Sequence, residues 1–484
     1  MTRTPLSDDR EDFKRLGHRT IDQLHAFLNG IDAGPVDMPV PPAQARMLMS
    51  LNLPEAGEAA DDIIDFITRE VAPYRLSIAH RRSYGWINSP PNPIGILANT
   101  VANAMNSGLD GFDHGAMFLM VSLGNWLMEL TGFAQGPDSM AILFSGGSAA
   151  NLNALTAARD HAARADGWNI RTEGLQGNRP PMIVYAADQA HSSIQRCVEQ
   201  LGLGADNLHI IETDDQFRMD PMALKRRIGK DREAGQRPIC VVAAAGTTNV
   251  GAIDRFDEIA DICEVEGLWF HVDGAYGGLG RLDPAYTHRY IGISRADSLT
   301  VDPHKWMQVP IDCGALLTRR KKAHWDAYAL TPDYLDAESD SGAPWTYEYM
   351  YQLTYADRAL KTYATIARLG RTGLGEIITR NNRAASLLGR LVEESYDLEL
   401  LAPVSLSVVN FRYVPRNASL SDVELDHLNQ QVSDAILKSG EAQLPTTKVS
   451  GKVALRACIV HHENDDDDAR HLVELAESTG KGIL

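Results

Sequence analysis

A chain of 484 residues, 44% of them hydrophobic, holds enough apolar material for a large buried core, and its length suits two or three domains. Its 46 Lys and Arg against 64 Asp and Glu leave a net charge of −18, which argues against a nucleic-acid backbone or an anionic membrane as the main partner. No run approaches the roughly 20 apolar residues of a membrane span, the first residues lack the apolar stretch of a secretory signal, and five scattered cysteines show no metal-site spacing, so a soluble cytoplasmic protein is expected.

Residues from about 10 to 28 carry Phe13, Leu16, Ile21, Leu24, Phe27 and Leu28 near one helical face, and Asp61–Val71 repeats the pattern. Proline-containing stretches at 35–42 and 90–93 interrupt it. Residues 1–90 are therefore read as a helical N-terminal arm, apolar enough to pack on a partner subunit. From 91 to 370, helical patterns alternate with the apolar runs Met140–Phe144, Met182–Tyr185, Leu208–Ile211, Ile239–Ala244, Leu268–Val272, Ser298–Val301 and Gly314–Leu317. Short runs separated by helices suit buried strands of a mainly parallel sheet, and in such α/β folds ligands gather at the carboxyl ends of the strands. From 371 to 484 the pattern changes to a helix at Leu374–Ser395, an apolar stretch at Leu400–Tyr413, a helix near Asp422–Ser439, Val453–His461, and a last helix starting in the acidic run Asp465–Asp468. That reads as a small α+β domain.

The distinctive residues follow the predicted strands. After the first comes Ser145-Gly-Gly-Ser148-Ala149-Ala150-Asn151, a small, polar turn into a helix, whose N-terminal N–H groups and dipole suit phosphate. It is neither a GK[ST] loop nor GxGxxG. Next is Asp188-Gln-Ala-His191-Ser-Ser, where an imidazole either stacks on an aromatic cofactor or is a satisfied core histidine. Gly246-Thr-Thr248-Asn is a turn whose hydroxyl is within the range of a cofactor ring or phosphate. In His271-Val-Asp273-Gly-Ala275-Tyr-Gly-Gly, an acid ends an apolar strand ahead of small residues. Such an acid either caps the next helix or keeps a pyridinium nitrogen protonated, with the small residues letting a flat ring approach. Last is Ser298-Leu-Thr-Val-Asp302-Pro-His304-Lys305-Trp306, where a lysine in apolar surroundings is a usable nucleophile toward an aldehyde. His461-His462-Glu463 beside Asp465–Asp468 is not expected to bind metal, because adjacent strand residues face opposite ways and acids at a helix start are favourable in themselves.

Taken in order, DQAHSS, GTTNVGAID, HVDGAYGG and DPHKW resemble the group II pyridoxal-phosphate decarboxylases, the family of the aromatic-L-amino-acid decarboxylases, over nearly the whole chain. The resemblance implies a type I aminotransferase-like fold and a homodimer with active sites at the subunit interface. It implies pyridoxal 5'-phosphate as cofactor, Lys305 as its Schiff-base lysine, Asp273 as the pyridinium partner, His191 stacked on the ring and Ala275 on the opposite ring face. Ser148 and Ala149 would hold the phosphate with Ser298 and Asp302 nearby, Thr248 would sit close to the cofactor, and His304 would touch bound substrate. Tyr334 matches the family's catalytic-loop tyrosine, the proposed proton donor, in a polar, Gly/Pro-punctuated stretch from 330 to 344 typical of a lid. Members with phenylalanine there tend to make aldehydes, so tyrosine points to simple decarboxylation. Arg456 matches a family arginine near the active site.

The chain departs from animal members where Ala150 replaces a serine and Asp302 an asparagine. A carboxylate near phosphate needs a proton or a partner, so Asp302 is expected not to touch it directly. The segment from Ser83 to Pro90 diverges most from the aromatic pocket of animal enzymes, and Trp86, Ser89 and Phe112 are the substrate-pocket candidates left. The expected activity is decarboxylation of an L-amino acid, aromatic by preference. Alternatives are an acidic or basic substrate, oxidative aldehyde production, or a catalytically idle cofactor-binding protein. The last is opposed by the intact set of Lys305, Asp273, His191 and Tyr334.

Overall fold

A computed structural model describes residues 5–75, 78–108, 113–330 and 342–484, with side chains from residue 9 onward. Seven strands form the larger sheet: β1 (Met140–Phe144), β2 (Met182–Ala187), β3 (Leu208–Ile211), β4 (Arg237–Ala244), β5 (Trp269–Asp273), β6 (Ser298–Val301) and β7 (Gly314–Thr318). Their order is β1-β7-β6-β5-β4-β2-β3. Pairings among β3, β2, β4, β5 and β6 are parallel, whereas β7 runs antiparallel to both neighbours, so β1 points the same way as the parallel set. Each expected apolar run is a strand. Strands β1, β2, β6 and β7 are buried at every position, which is why they read as continuous apolar runs rather than alternating ones.

Helices cover both faces. Gly147–Ala165 lies under the sheet with Leu155, Ala158 and Ala162 against Val184, Val242 and Trp269, and Gly115–Thr131 packs Leu123 and Leu127 against the other side. Gly124 makes that contact close, since a Cβ there would lie 2.9 Å from the Cβ of Ala141. The fold is α/β, as expected.

The C-terminal part has its own four-stranded antiparallel sheet, β10 (Thr446–Val449), β11 (Lys452–Cys458), β9 (Val408–Tyr413) and β8 (Leu398–Leu400), in that order. Helices Asp422–Ser439 and Asp466–Ile483 bury Leu428, Val432, Leu472 and Ala476 against it, each started by a reciprocal capping box, Ser421 with Glu424 and Asp465 with Asp468. The stretch expected at Leu400–Tyr413 is two strands, because the chain reverses through Leu406 in a left-handed conformation (φ 55°). The helix expected from Leu374 starts earlier: Ala359–Glu394 is continuous but for a break at Gly370 (φ 64°, ψ 177°). Toward the N-terminus, helices Pro5–Gly30 and Ala60–Phe66 are tied by Arg15 and Arg19 to Asp61 and Asp65. Among the described residues no helix is long and apolar enough to cross a membrane.

Candidate active site

The strands that run in one direction release their chains at the same edge of the sheet, and there the loops enclose a cavity of about 500 Å³, a usual size for a small-molecule site. Its wall includes Ser148, Ala149, His191, Thr248, Asp273, Ala275, Asp302, His304, Lys305 and Trp86, residues drawn from across the chain. Five loops contribute, so the site exists only once β1, β2, β4, β5 and β6 are side by side.

The glycine-rich turn is squeezed from several directions. A Cβ on Gly147 would lie 3.0 Å from both the Cβ of Ala275 and the Oδ2 of Asp302, and one on Gly314 would lie 2.5 Å from the Cα of Gly146. Only bare backbone fits between β7 and the β5 and β6 loops, which brings the first turn of helix Gly147–Ala165 to the cavity wall. The first-turn N–H groups of a helix have no carbonyl partners within it and suit an anion.

Lys305 is held from its main chain outward. Its N–H donates to the carbonyl of Asp302 (2.9 Å), and its own carbonyl accepts from the Ser89 hydroxyl. Its Nζ lies 3.2 Å from Asp302 Oδ2. The Asp302 carboxylate, 2% exposed, thus pairs through Oδ2 with the lysine, while its buried Oδ1 has no partner among the described residues. Trp306 next door is fully buried, bonded through Nε1 to Asn381 and packed on Tyr276 with centroids 4.8 Å apart. His304 accepts at Nδ1 from the Cys313 N–H (3.0 Å), and burial lowers its pKa against the opposing pull of Asp302. A neutral His304 therefore carries its proton on Nε2.

Two of the expected residues lie outside the cavity lining. Ser298 does not line the cavity: it is fully buried, accepting from Trp269 Nε1 (2.9 Å) and bonded to His271 Nδ1 (2.8 Å). It opens β6, whereas ligands collect where strands end, and four residues at about 3.3 Å each separate it from Asp302. Ser89, expected in the substrate pocket, is also outside the lining, with its hydroxyl on the Lys305 carbonyl. Trp86 does line the cavity and is half exposed. Phe112 and Tyr334 lie outside the described residues.

Two lining residues, Asn151 and Ser193, were given no role from the sequence. Asn151, 1% exposed, donates to Asp273 Oδ2 (3.0 Å) and Ser193 Oγ (3.1 Å). His271 binds the Asn151 Oδ1 (3.0 Å) from beneath the cavity, and burial depresses its pKa to about 4. The signal was present: Trp269, His271 and Asp273 alternate along one strand and so share a face. Arg456 reaches across from β11, donating to the Thr248 carbonyl (2.7 Å), while its buried Nε has no partner among the described residues. His461 Nδ1 accepts from the Glu463 N–H (3.1 Å), which occupies one of the nitrogens that the His461-His462-Glu463 cluster would offer a metal.

One cavity at the strand ends thus brings together a lysine amine, a helix N-terminus and the Asp273 carboxylate. The chain belongs to the pyridoxal-dependent decarboxylase family, whose conserved domain matches residues 42–414. An aromatic-L-amino-acid decarboxylase of Bacillus atrophaeus is 32% identical over 456 residues, covering 93% of this chain and 92% of that protein. The acidic amino acid decarboxylase GADL1 of Mus musculus is 29% identical, covering 92% and 81%. Among solved structures, that of Oryza sativa TDC with PLP and tryptamine superposes with a TM-score of 0.91 at 25% identity over the full length of both chains. The protein is a pyridoxal-phosphate-dependent amino-acid decarboxylase, and the residues present fit the cofactor. The first turn of helix Gly147–Ala165 lines the cavity, and the donor set combines that helix N-terminus, hydroxyls and an amine in the same cavity.

Proposed function

We propose that the chain removes the carboxyl group of an aromatic L-amino acid, releasing the amine and carbon dioxide. Lys305 is the covalent anchor of the cofactor, Asp273 the partner of its ring nitrogen, His191 the stacked imidazole and Ala275 the contact on the other ring face. Ser148, Ala149 and the helix N-terminus hold the phosphate, with Thr248 beside the cofactor. When bound, pyridoxal phosphate supplies a ring that accepts the electron pair of the broken bond to the carboxyl carbon. Asp273 keeps that ring positively charged. His304, beside the lysine, touches the bound substrate, and Arg456, on the cavity wall, steadies the substrate carboxylate before it leaves. Tyr334 returns a proton to the product carbon. Trp86 forms an aromatic side of the substrate pocket. The observation that carries the reading is the meeting of Lys305, Asp273, His191 and the glycine turn in one cavity.

The same reading includes a homodimer. Helix Pro93–Met105 exposes Ile94, Leu97, Val101 and Met105, and Phe118 and Val121 lie exposed on helix Gly115–Thr131, an apolar surface that a second copy would cover. Residues 1–90 form its arm, 91–370 the cofactor domain and 371–484 the small domain. Five buried free thiols are compatible with a cytoplasmic location.

Incubation with each of the twenty amino acids, reading carbon dioxide, amine, aldehyde and peroxide by mass spectrometry and coupled assay, tests the proposal. Aromatic amines without peroxide are expected. Preference for an acidic or basic substrate, or peroxide formed in step with product, would overturn it. Lys305→Ala is expected to abolish turnover and the borohydride-fixed cofactor on the peptide containing that position.

A further inference from the structure

We propose that Asn151 is a positioning residue: its buried amide fixes the carboxylate of Asp273 presented to the cofactor ring and orients the Ser193 hydroxyl toward His191. The inference rests on the pairing of Asp273 with the ring nitrogen proposed above.

The hydrogen-bond directions follow from one fixed point. An ionised Asp273 only accepts, so the atom of Asn151 that lies 3.0 Å from its Oδ2 is the amide nitrogen. The second amide proton goes to Ser193 Oγ (3.1 Å). The amide oxygen then faces Thr300 Oγ1 (2.7 Å) and His271 Nε2 (3.0 Å), and both must donate. Asn151 therefore makes all four hydrogen bonds open to it. His271, donating from Nε2 and held neutral by burial, accepts at Nδ1 from the Ser298 hydroxyl, which in turn accepts from Trp269 Nε1. A neutral His271 puts no positive charge beside Asp273, whose other oxygen takes the Ala275 N–H (3.1 Å).

On the cavity side, the Ser193 N–H makes His191 Nδ1 an acceptor, so the Ser193 hydroxyl, which accepts from Asn151, gives its proton to that nitrogen (2.8 Å). The Ser193 N–H points at the same nitrogen (3.2 Å). With two donors on Nδ1, and with burial lowering its pKa, His191 is neutral and carries its hydrogen on Nε2. One amide thus sets the orientation of the acid at one part of the ring and of the hydroxyl that faces the imidazole over it. No other uncharged side chain of that size offers two donors and two acceptor lone pairs.

The test compares two cofactors on enzyme stripped of its own: pyridoxal phosphate, and 1-deazapyridoxal phosphate, in which carbon replaces the ring nitrogen. Wild type is expected to bind the natural cofactor more tightly than the analogue. Asn151→Ala is expected to weaken the natural cofactor by on the order of tenfold, the worth of a hydrogen bond to a charged group, and to leave the analogue within about twofold. Equal weakening of both, or an undiminished preference, would overturn the role of Asn151 while leaving the Asp273 pairing intact. A wild type that does not distinguish the two would overturn the pairing itself, and this inference with it. Should the variant not fold, ¹⁵N-histidine spectra of the wild-type stripped enzyme decide: Nε2–H at both His191 and His271 supports the network, and Nδ1–H at either refutes it.

Discussion

The closest packing at the site is the meeting of β7 with the glycine turn, and adding one methyl group there tests whether that turn is the anion cradle. In Gly314→Ala the new Cβ would lie 2.5 Å from the Cα of Gly146, 2.6 Å from its carbonyl carbon and 2.7 Å from Asp302 Oδ1. Relaxed carbon contacts sit near ~3.5 Å, so the turn must withdraw by about 1 Å. The neighbours are backbone and a buried carboxylate, neither of which can rotate away. Overpacking of this kind costs roughly 1–3 kcal/mol. If that cost falls on the geometry that receives the cofactor, affinity for pyridoxal phosphate drops by roughly 5- to 150-fold, at about 1.4 kcal/mol per tenfold. Fluorescence titration of the stripped enzyme measures it. Gly482→Ala is the control, since nothing lies within 4 Å of a Cβ there. An affinity for Gly314→Ala within twofold of wild type would refute the claim that the turn is pinned where the cofactor binds.

Other outcomes follow from the same coordinates. His271 and His324 are fully buried and bonded, with pKa values depressed from 6.5 to about 4 and about 3, chiefly by desolvation. Their folded pKa lies below the unfolded one, so the unfolded chain binds more protons as pH falls. Stability is complete above pH 6.5 and is lost progressively toward pH 4. Urea midpoints measured across this window should fall, and His324→Gln should flatten the slope; a flat wild-type profile would count against the buried neutral state. Ser298→Ala leaves Trp269 Nε1 and His271 Nδ1 without their common partner and should cost ~1–3 kcal/mol in urea unfolding of the stripped enzyme. An unchanged midpoint would put Ser298 outside the network. Tyr334→Phe should cut amine formation severely while cofactor affinity stays within twofold; undiminished amine output would remove Tyr334 from the mechanism.

Most strands of the main sheet were legible because they are buried on both faces and so read as unbroken apolar runs, the edge strand β3 with its exposed Ile210 being the exception. The candidate residues were legible for a related reason: His191, Asp273, Asp302 and Lys305 follow strands whose carboxyl ends share one edge. Two things local sequence could not carry. An apolar run has no direction written in it, so the antiparallel course of β7 appears only once its neighbours are in place. Likewise β10, Thr-Thr-Lys-Val, is partly exposed at a sheet edge and lacks an apolar signature.

The chain by itself determined the family, the cofactor chemistry and the strand ends where that chemistry gathers, since these depend on residue type and local order. Only the tertiary structure decided what each polar side chain faces. Ser298 and Ser89 look like ligand hydroxyls in the sequence, yet one satisfies Trp269 and His271 and the other the Lys305 carbonyl. Asn151 looks like an ordinary helix residue and instead joins three segments of chain. A hydrogen-bond partner 120 residues away, as His271 is from Asn151, is chosen by packing in three dimensions and leaves no periodic trace along the chain.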